Sequence, residues 1–336
     1  MLRLVSALLL LATSALTAQA EDRVTLRVAD VYPVGHYIAE ALVKPWMAQV
    51  KAKLGDRIDL QYFPAEQLGK GRELLKFTQS GVVDIGLVIP AFVPHQLPLS
   101  AVGELPGAFA SACQGSAAFW SLAHDGILAE KEFAPAGVRV LIATVLPPYQ
   151  IFSRRPLAGL ASFEGQKLYS TGGAKDLTLR KLGAVPTRMT TAEVYQSLSR
   201  GTVDGGVMSY ATALAYRLPG IVRYATTEEN FGSGVITYVI SQERWGKLPP
   251  DVQKAMSEAG EAVTKEACIN FDHGVEADIA TLKKDGVEMV HLPQGDHDKI
   301  AKEMATIGDE WAAELDGRGK PGKAVLGAFR ATLPTH

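Results

Sequence analysis

VTLRVADV, Val24 to Val31, sets apolar side chains in alternation and is rich in Val and Leu, which reads as a half-buried strand. Beyond it, Tyr37 to Leu54 has helical spacing, with Ile38, Leu42, Trp46, Met47 and Val50 on one broad apolar face. RIDLQYF, Arg57 to Phe63, is a second alternating strand; Pro64 ends it and Gln67-Leu68-Gly69 turns the chain. Arg72 to Ser80 predicts a short helix closed by Gly81, and Val83 to Ile89 a third strand stopped by Pro90. The order β-α-β-α-β is the unit of a parallel sheet covered by helices, with right-handed crossovers. Ligands of open α/β sheets collect at the carboxyl ends of the strands.

The pattern then repeats loosely. Val138 to Thr144, Gln150 to Ser153, Lys167 to Ser170, Val203 to Val207 and Ser233 to Ser241 read as strands. Ala174 to Leu182 and Thr191 to Arg200 read as helices, with Thr190 or Thr191 as N-cap. Pro250 to Lys284 is one helical stretch of about 35 residues, ~50 Å if unbroken, long enough to run along two lobes. Gly260 or Gly274 is where it would bend. Val287 to His291 predicts a strand and Asp298 to Leu315 a final amphipathic helix.

The chain has 336 residues, is 47% hydrophobic and carries a formal charge of −2. That apolar content excludes a disordered chain, and the charge gives no general attraction to nucleic acid or anionic membranes. Residues 1–20 have the order of an export signal: Arg3, the apolar run Leu4 to Leu16, then Ala18-Gln19-Ala20 as cleavage site. The expected location is a bacterial periplasm, where disulfides persist. Cys113 and Cys268 are the only cysteines. The plainer reading makes them two small buried apolar side chains; a bridge is the alternative.

Catalytic signatures are missing. There is no HExxH, no phosphate-binding P-loop and no GxSxG. The one GxGxxG match, Gly317 to Gly322, follows a helix and contains Pro321, so it reads as a turn. His291, Asp296 and His297 read as a polar loop rather than a metal site.

Several segments together resemble the substrate-binding proteins of tripartite ATP-independent periplasmic (TRAP) transporters of the DctP-like family. They are Pro64-Ala65-Glu66-Gln67-Leu68-Gly69 with Glu73-Leu74-Leu75 and Gly81-Val82-Val83-Asp84-Ile85, then Leu105-Pro106. Leu182-Gly183-Ala184-Val185-Pro186, Glu193 to Leu198 and Gly201-Thr202-Val203-Asp204-Gly205 follow, and Trp245 with Leu248-Pro249 opens the long helix. The resemblance covers about residues 24 to 315. It implies a two-lobed α/β periplasmic binding protein with a ligand cleft between lobes that close by hinge motion, and a long helix spanning both. Lobe one would comprise 21–145 and about 233–265; lobe two, 146–232 and about 266–336. The implied partners are a small organic solute and TRAP membrane permease subunits. No cofactor is implied. Some relatives hold a metal through an acidic side chain after Asp-Gly, but Gly206-Val207-Met208 offers none, so no metal is expected. Glu193 and Asp204 are explained as cap and turn.

Most relatives carry an Arg in a G-x-K-[IL]-R segment that pairs bidentately with a ligand carboxylate. Here the run is Gly165-Gln166-Lys167-Leu168-Tyr169, so a neutral phenol stands at the Arg position. Tyr149 falls on or near a second position that is often basic, and Ile89 and Met208 on positions often polar. Tyr32, Tyr37, Phe92 and Tyr210, with Tyr149 and Tyr169, lie at or beyond strand ends and favour an aromatic, apolar or cationic ligand. Asp30 and Glu104 are candidates to balance a ligand ammonium. The expected ligand is therefore a small amine or amino alcohol, a neutral solute or an aromatic one, held without the Arg–carboxylate pair. One rival keeps a carboxylate ligand with a substitute cation, for which Arg154, Lys175, Arg180 and Arg188 are nearby in sequence, although their plainer reading is surface charge. A second rival is a secreted enzyme on the same fold, and a third is a sensor that presents its ligand to a receptor.

Overall fold

The computed structural model describes residues 23–334, so the expected export signal lies outside the described residues. Two mixed sheets carry the chain. In the first, β1 (Val24–Ala29), β2 (Ile58–Phe63), β3 (Ile85–Val88) and β4 (Val138–Val145) are joined by a strand from much later, Val235–Ser241, in the order β2-β1-β3-(235–241)-β4. The second sheet holds β5 (Gln150–Ser153), β6 (Lys167–Ser170), β7 (Val185–Arg188), β8 (Gly205–Met208) and β9 (Tyr224–Thr226). With β10 now naming Val235–Ser241 and β11 naming Glu288–Val290, its order is β11-β9-β5-β8-β6-β7. The early β-α-β-α-β unit is parallel as expected: Val24 pairs with Ile58 and Val28 with Ile85. β10 runs antiparallel between β3 and β4 and buries all seven of its residues.

The helix expected over Tyr37 to Leu54 is two helices, Tyr37–Ala41 and Val43–Leu54, broken at Leu42. Pro45 explains the break: it has no N–H for the Ala41 carbonyl, and its ring crowds that group. The long helix Pro250–Lys284 is unbroken. It packs on β4 and the Val43–Leu54 helix at one end and on the Tyr210–Ala215 helix and β11 at the other, so it spans both sheets. Gly260 does not bend it. A Cβ there would sit 1.8 Å from the Leu141 carbonyl oxygen, so glycine is what lets the helix touch β4.

The sequence reading does not mark the helix Ala112–His124, whose N-cap is Ser111. Its start is tied to the long helix by a Cys113–Cys268 disulfide with a Cα separation of 4.7 Å. This corrects the expectation of two unpaired apolar cysteines: each lies on a different helix, far apart in sequence, and only the helix–helix packing brings them together. The final helix Gly322–Thr332 returns to the first sheet's layer, packing on Ala112–His124, with Phe329 against Phe109. The glycine-rich run 317–322 is the turn that joins this helix to Gln294–Gly317. No described helix is long and apolar enough to cross a membrane.

Candidate functional site

Between the sheets lies a cavity at the carboxyl ends of β3, β6 and β8, where such folds collect ligands. It brings together seven of the nine candidate residues: Tyr32, Ile89, Phe92, Glu104, Tyr149, Tyr169 and Met208. Asp30 and Tyr210 are not among its lining. The enclosed space is about 30 Å³. That holds roughly two waters, so an organic solute enters only if the two sides part. Contacts between the sides include Tyr37 Oη to Thr212 Oγ1 at 2.9 Å and Asn230 Nδ2 donating to the Phe109 carbonyl at 2.8 Å.

Tyr169 sits on β6, 2% exposed, with its hydroxyl 2.8 Å from Thr191 Oγ1. Burial pushes its phenol above the ordinary range, so it stays neutral. It lies across β8 because Gly206 is bare: a Cβ there would come within 2.8 Å of the Tyr169 ring. Thr191 is held in place by its neighbour's cap, in which Thr190 and Glu193 bond reciprocally. The Asp204 carboxylate accepts from the Lys167 amide, so Glu193 and Asp204 are scaffold.

The two candidate acids already have partners: Asp30 is hydrogen-bonded, and Glu104 is ion-paired although its carboxylate oxygens make no hydrogen bond. Asp30 accepts from the Tyr32 amide (2.9 Å), Tyr62 Oη (2.9 Å) and Tyr238 Oη (2.8 Å). Burial nonetheless pushes its carboxyl up from the ordinary range, with those three bonds opposing the shift. Glu104 lies 2.7 Å from Lys175 Nζ, and both side chains are 1% exposed. Burial pushes the Glu104 carboxyl up while the lysine beside it pulls the other way. Lys175 also donates to the Ser233 carbonyl and stands 5.9 Å from the Tyr149 ring centroid. Its reading as a surface charge is therefore corrected: its helix begins at Ala174, just after Gly173, whose position faces Glu104.

The other substitute cations stay away from the cavity. Arg154 donates to the Leu198 carbonyl, Arg188 pairs with Asp176, and Arg180 lines a neighbouring groove. Tyr210 belongs to a different, larger groove of about 700 Å³ beside the long helix, and its hydroxyl donates to the Thr226 carbonyl at 3.0 Å. His291 and His297 pair with Glu228 and Glu229, and Asp296 accepts from the Leu160 amide. Among the described residues, no group of three or more His, Cys, Asp or Glu is placed to hold a metal.

His36 and Tyr216 were missed by the sequence reading. His36 stacks on Tyr32 at 4.1 Å between centroids and 9° between planes, and Tyr216 meets it edge-on at 5.7 Å. A turn in which the His36 amide bonds the Pro33 carbonyl folds residue 36 back over residue 32. Pro33-Val34-Gly35 is the sequence signal for that turn, with Gly35 at φ +84°.

A family model for DctP, bacterial extracellular solute-binding protein, family 7, matches residues 28–314. The chain belongs to this family. It is a substrate-binding protein of the TRAP type. Among its relatives is the C4-dicarboxylate-binding periplasmic protein DctP of Rhodobacter capsulatus, 27% identical over 270 residues, 77% of this chain and 78% of that one. A TRAP solute-binding protein from Rhodoferax ferrireducens, solved with copurified benzoate, superimposes with a TM-score of 0.84 at 22% identity over 92% of this chain and 97% of that one. DctP7 of Bordetella pertussis, which binds pyroglutamic acid, gives 0.80 at 22% identity over 91% and 99%. At such identities the structural matches establish the two-lobed fold.

Proposed function

We propose that this protein captures a small aromatic solute in the periplasm and delivers it to TRAP membrane permease subunits, binding it without an Arg–carboxylate pair. One observation carries the reading: the cavity is walled by Tyr32, His36, Phe92, Tyr149, Tyr169 and Tyr216, and no Arg or Lys is among the residues that line it. A desolvated carboxylate there would lack a permanent counter-charge. An ammonium fares no better, because Lys175 neutralises Glu104 and three donors occupy Asp30. Flat rings between aromatic faces gain stacking, and the hydroxyls supply hydrogen bonds to polar substituents. The ligand thus adds no net charge to the site.

The mechanism is closure. On this reading one lobe comprises 23–145 with about 233–265 and the other 146–232 with about 266–334, apart from the helix Gly322–Thr332, which packs on Ala112–His124 of the first. A solute touching Tyr32 on one side and Tyr169 on the other binds the closed form better and shifts the equilibrium toward it. It leaves unchanged, because the protein acts as a carrier and not as an enzyme. The relatives named above bind acids differing in size and shape, so the fold does not select the cargo.

Thermal-shift screening tests the reading. Benzamide and other neutral aromatics are expected to raise Tm, whereas succinate and ethanolamine leave it unchanged. At 100 times Kd the stabilisation is about 2.7 kcal/mol. A shift produced by dicarboxylates or amines alone overturns the proposal, and turnover of a bound compound seen by mass spectrometry overturns the carrier role.

A further inference from the structure

We propose that His36 supplies on demand the positive charge that this site lacks, so that an aromatic carboxylate is bound together with one proton taken from solvent. The inference rests on the aromatic reading above and adds which acids are admitted and how. His36 is only 6% exposed and lines the cavity. Its Nδ1 accepts from the Ile38 amide at 3.3 Å, at the N-cap of the helix Tyr37–Ala41. A neutral ring with Nδ1 as acceptor carries its proton on Nε2. That Nε2 is buried and has no hydrogen-bond partner. A buried donor left unmade is costly, and a ligand oxygen is the group that would satisfy it.

The charge balance around the ring favours a titrating donor. Tyr32 stacks on His36; Tyr37 and Tyr216 flank it. Asp30 lies behind Tyr32, bonded to its amide, and Asp278 on the long helix acts on Tyr37. Tyr149, Tyr169 and Glu104 also line the cavity, the last paired with Lys175. No carboxylate bonds the imidazole directly, and burial holds it neutral, with its pKa down at about 4. A ligand carboxylate placed on Nε2 would bring the missing opposite charge and raise that pKa. Protonation of Nδ1 then costs the Ile38 bond, so the proton is held only while the acid is present. The balance is one carboxylate and one proton in, no net charge added.

Benzoate and benzamide are the probes, titrated into the full mature protein by calorimetry from pH 5 to 8. Benzoate affinity should fall as pH rises, approaching tenfold per unit between the pKa of free His36 and the higher pKa of the complex, and level off above the latter. Buffers of different ionisation enthalpy should report about one proton taken up per benzoate. Benzamide should bind with less than a twofold change over the same range. In His36→Gln, which keeps an amide donor but does not titrate, benzoate should lose its pH slope and its proton uptake. The imidazole C2 proton of wild type, followed by NMR, should titrate at higher pH with benzoate bound, a readout that needs no variant. Flat benzoate affinity, proton uptake near zero, or an unchanged slope in His36→Gln would each overturn the inference; the last would put the proton on the ligand or Glu104. Benzamide binding with pH-independent benzoate binding sinks this inference alone. Failure of both compounds to bind at every pH removes the aromatic reading and this one with it.

Discussion

The two walls of the cavity are built from different chemistry. The wall from the first sheet's side carries the ionisable groups, His36 and Glu104, with Asp30 just behind. The wall from the second sheet's side is neutral: Tyr169, Thr191, Met208 and Tyr216. Lys175 is the one charge the second side contributes, and it reaches across to Glu104 without lining the cavity. Charge, and with it sensitivity to pH, is concentrated on one side, while the other offers faces and hydroxyls. An Arg at position 169 would place a permanent charge on the opposite wall.

The Glu104–Lys175 pair is the point where the walls are electrically joined, and breaking it should have the largest effect. Lys175→Met leaves a carboxylate in a fully buried place, which costs roughly 3–5 kcal/mol in comparable pairs. Glu104→Gln should cost less, since the amide oxygen still accepts from Lys175 and the Ser233 carbonyl remains a partner. The double variant Glu104→Gln/Lys175→Met should recover most of the loss. Chemical denaturation of the three variants checks this; an additive double variant would mean that the two side chains do not interact.

His36 gives the next largest effect, in a defined direction. Its folded pKa of about 4 lies below the ordinary 6.5, so the unfolded chain binds a proton that the folded chain refuses. Stability from this group is present above pH 6.5 and is lost as pH falls toward 4. The separation corresponds to roughly 3 kcal/mol at the acid end. Asp30 and Glu104, pushed up, act in the opposite sense, so the difference between wild type and His36→Gln is the quantity to measure. Wild type should lose ground to the variant steadily below pH 6.5. A difference that does not vary with pH would place the imidazole in contact with water.

Much of the architecture was legible because periodic patterns are local. The opening β-α-β-α-β unit, the buried strand β10 and the long helix each announce themselves within their own residues. So did Tyr169, since Gly165 and Lys167 fix its register. What was not legible depended on distance. Lys175 has the sequence surroundings of a surface lysine, and it is Glu104 and the Ser233 carbonyl, both far off in sequence, that make its burial tolerable. The Cys113–Cys268 bridge needs two helices to meet. Asp30 was read as open to ligand because nothing local shows that Tyr62 and Tyr238 point at it. His36 is the exception, since Pro33-Val34-Gly35 brings residues 32 and 36 together and was there to be read.

The smallest effect belongs to the neutral wall. Tyr169→Phe removes one hydroxyl and its bond to Thr191 while keeping the ring. A neutral hydrogen bond contributes about 0.5–1.5 kcal/mol, and Thr191 would be left short of a partner. Stability should drop by about that amount with no new pH dependence, because the phenol is neutral throughout the working range. Affinity for a neutral aromatic should fall less than tenfold, since the stacking face survives. Tyr169→Ala, by contrast, removes the face and should weaken the same ligand by more than the hydroxyl alone does. If Phe and Ala prove equally damaging, the second wall acts through its hydroxyl rather than its ring. The division between a charged wall and an aromatic one would then need redrawing.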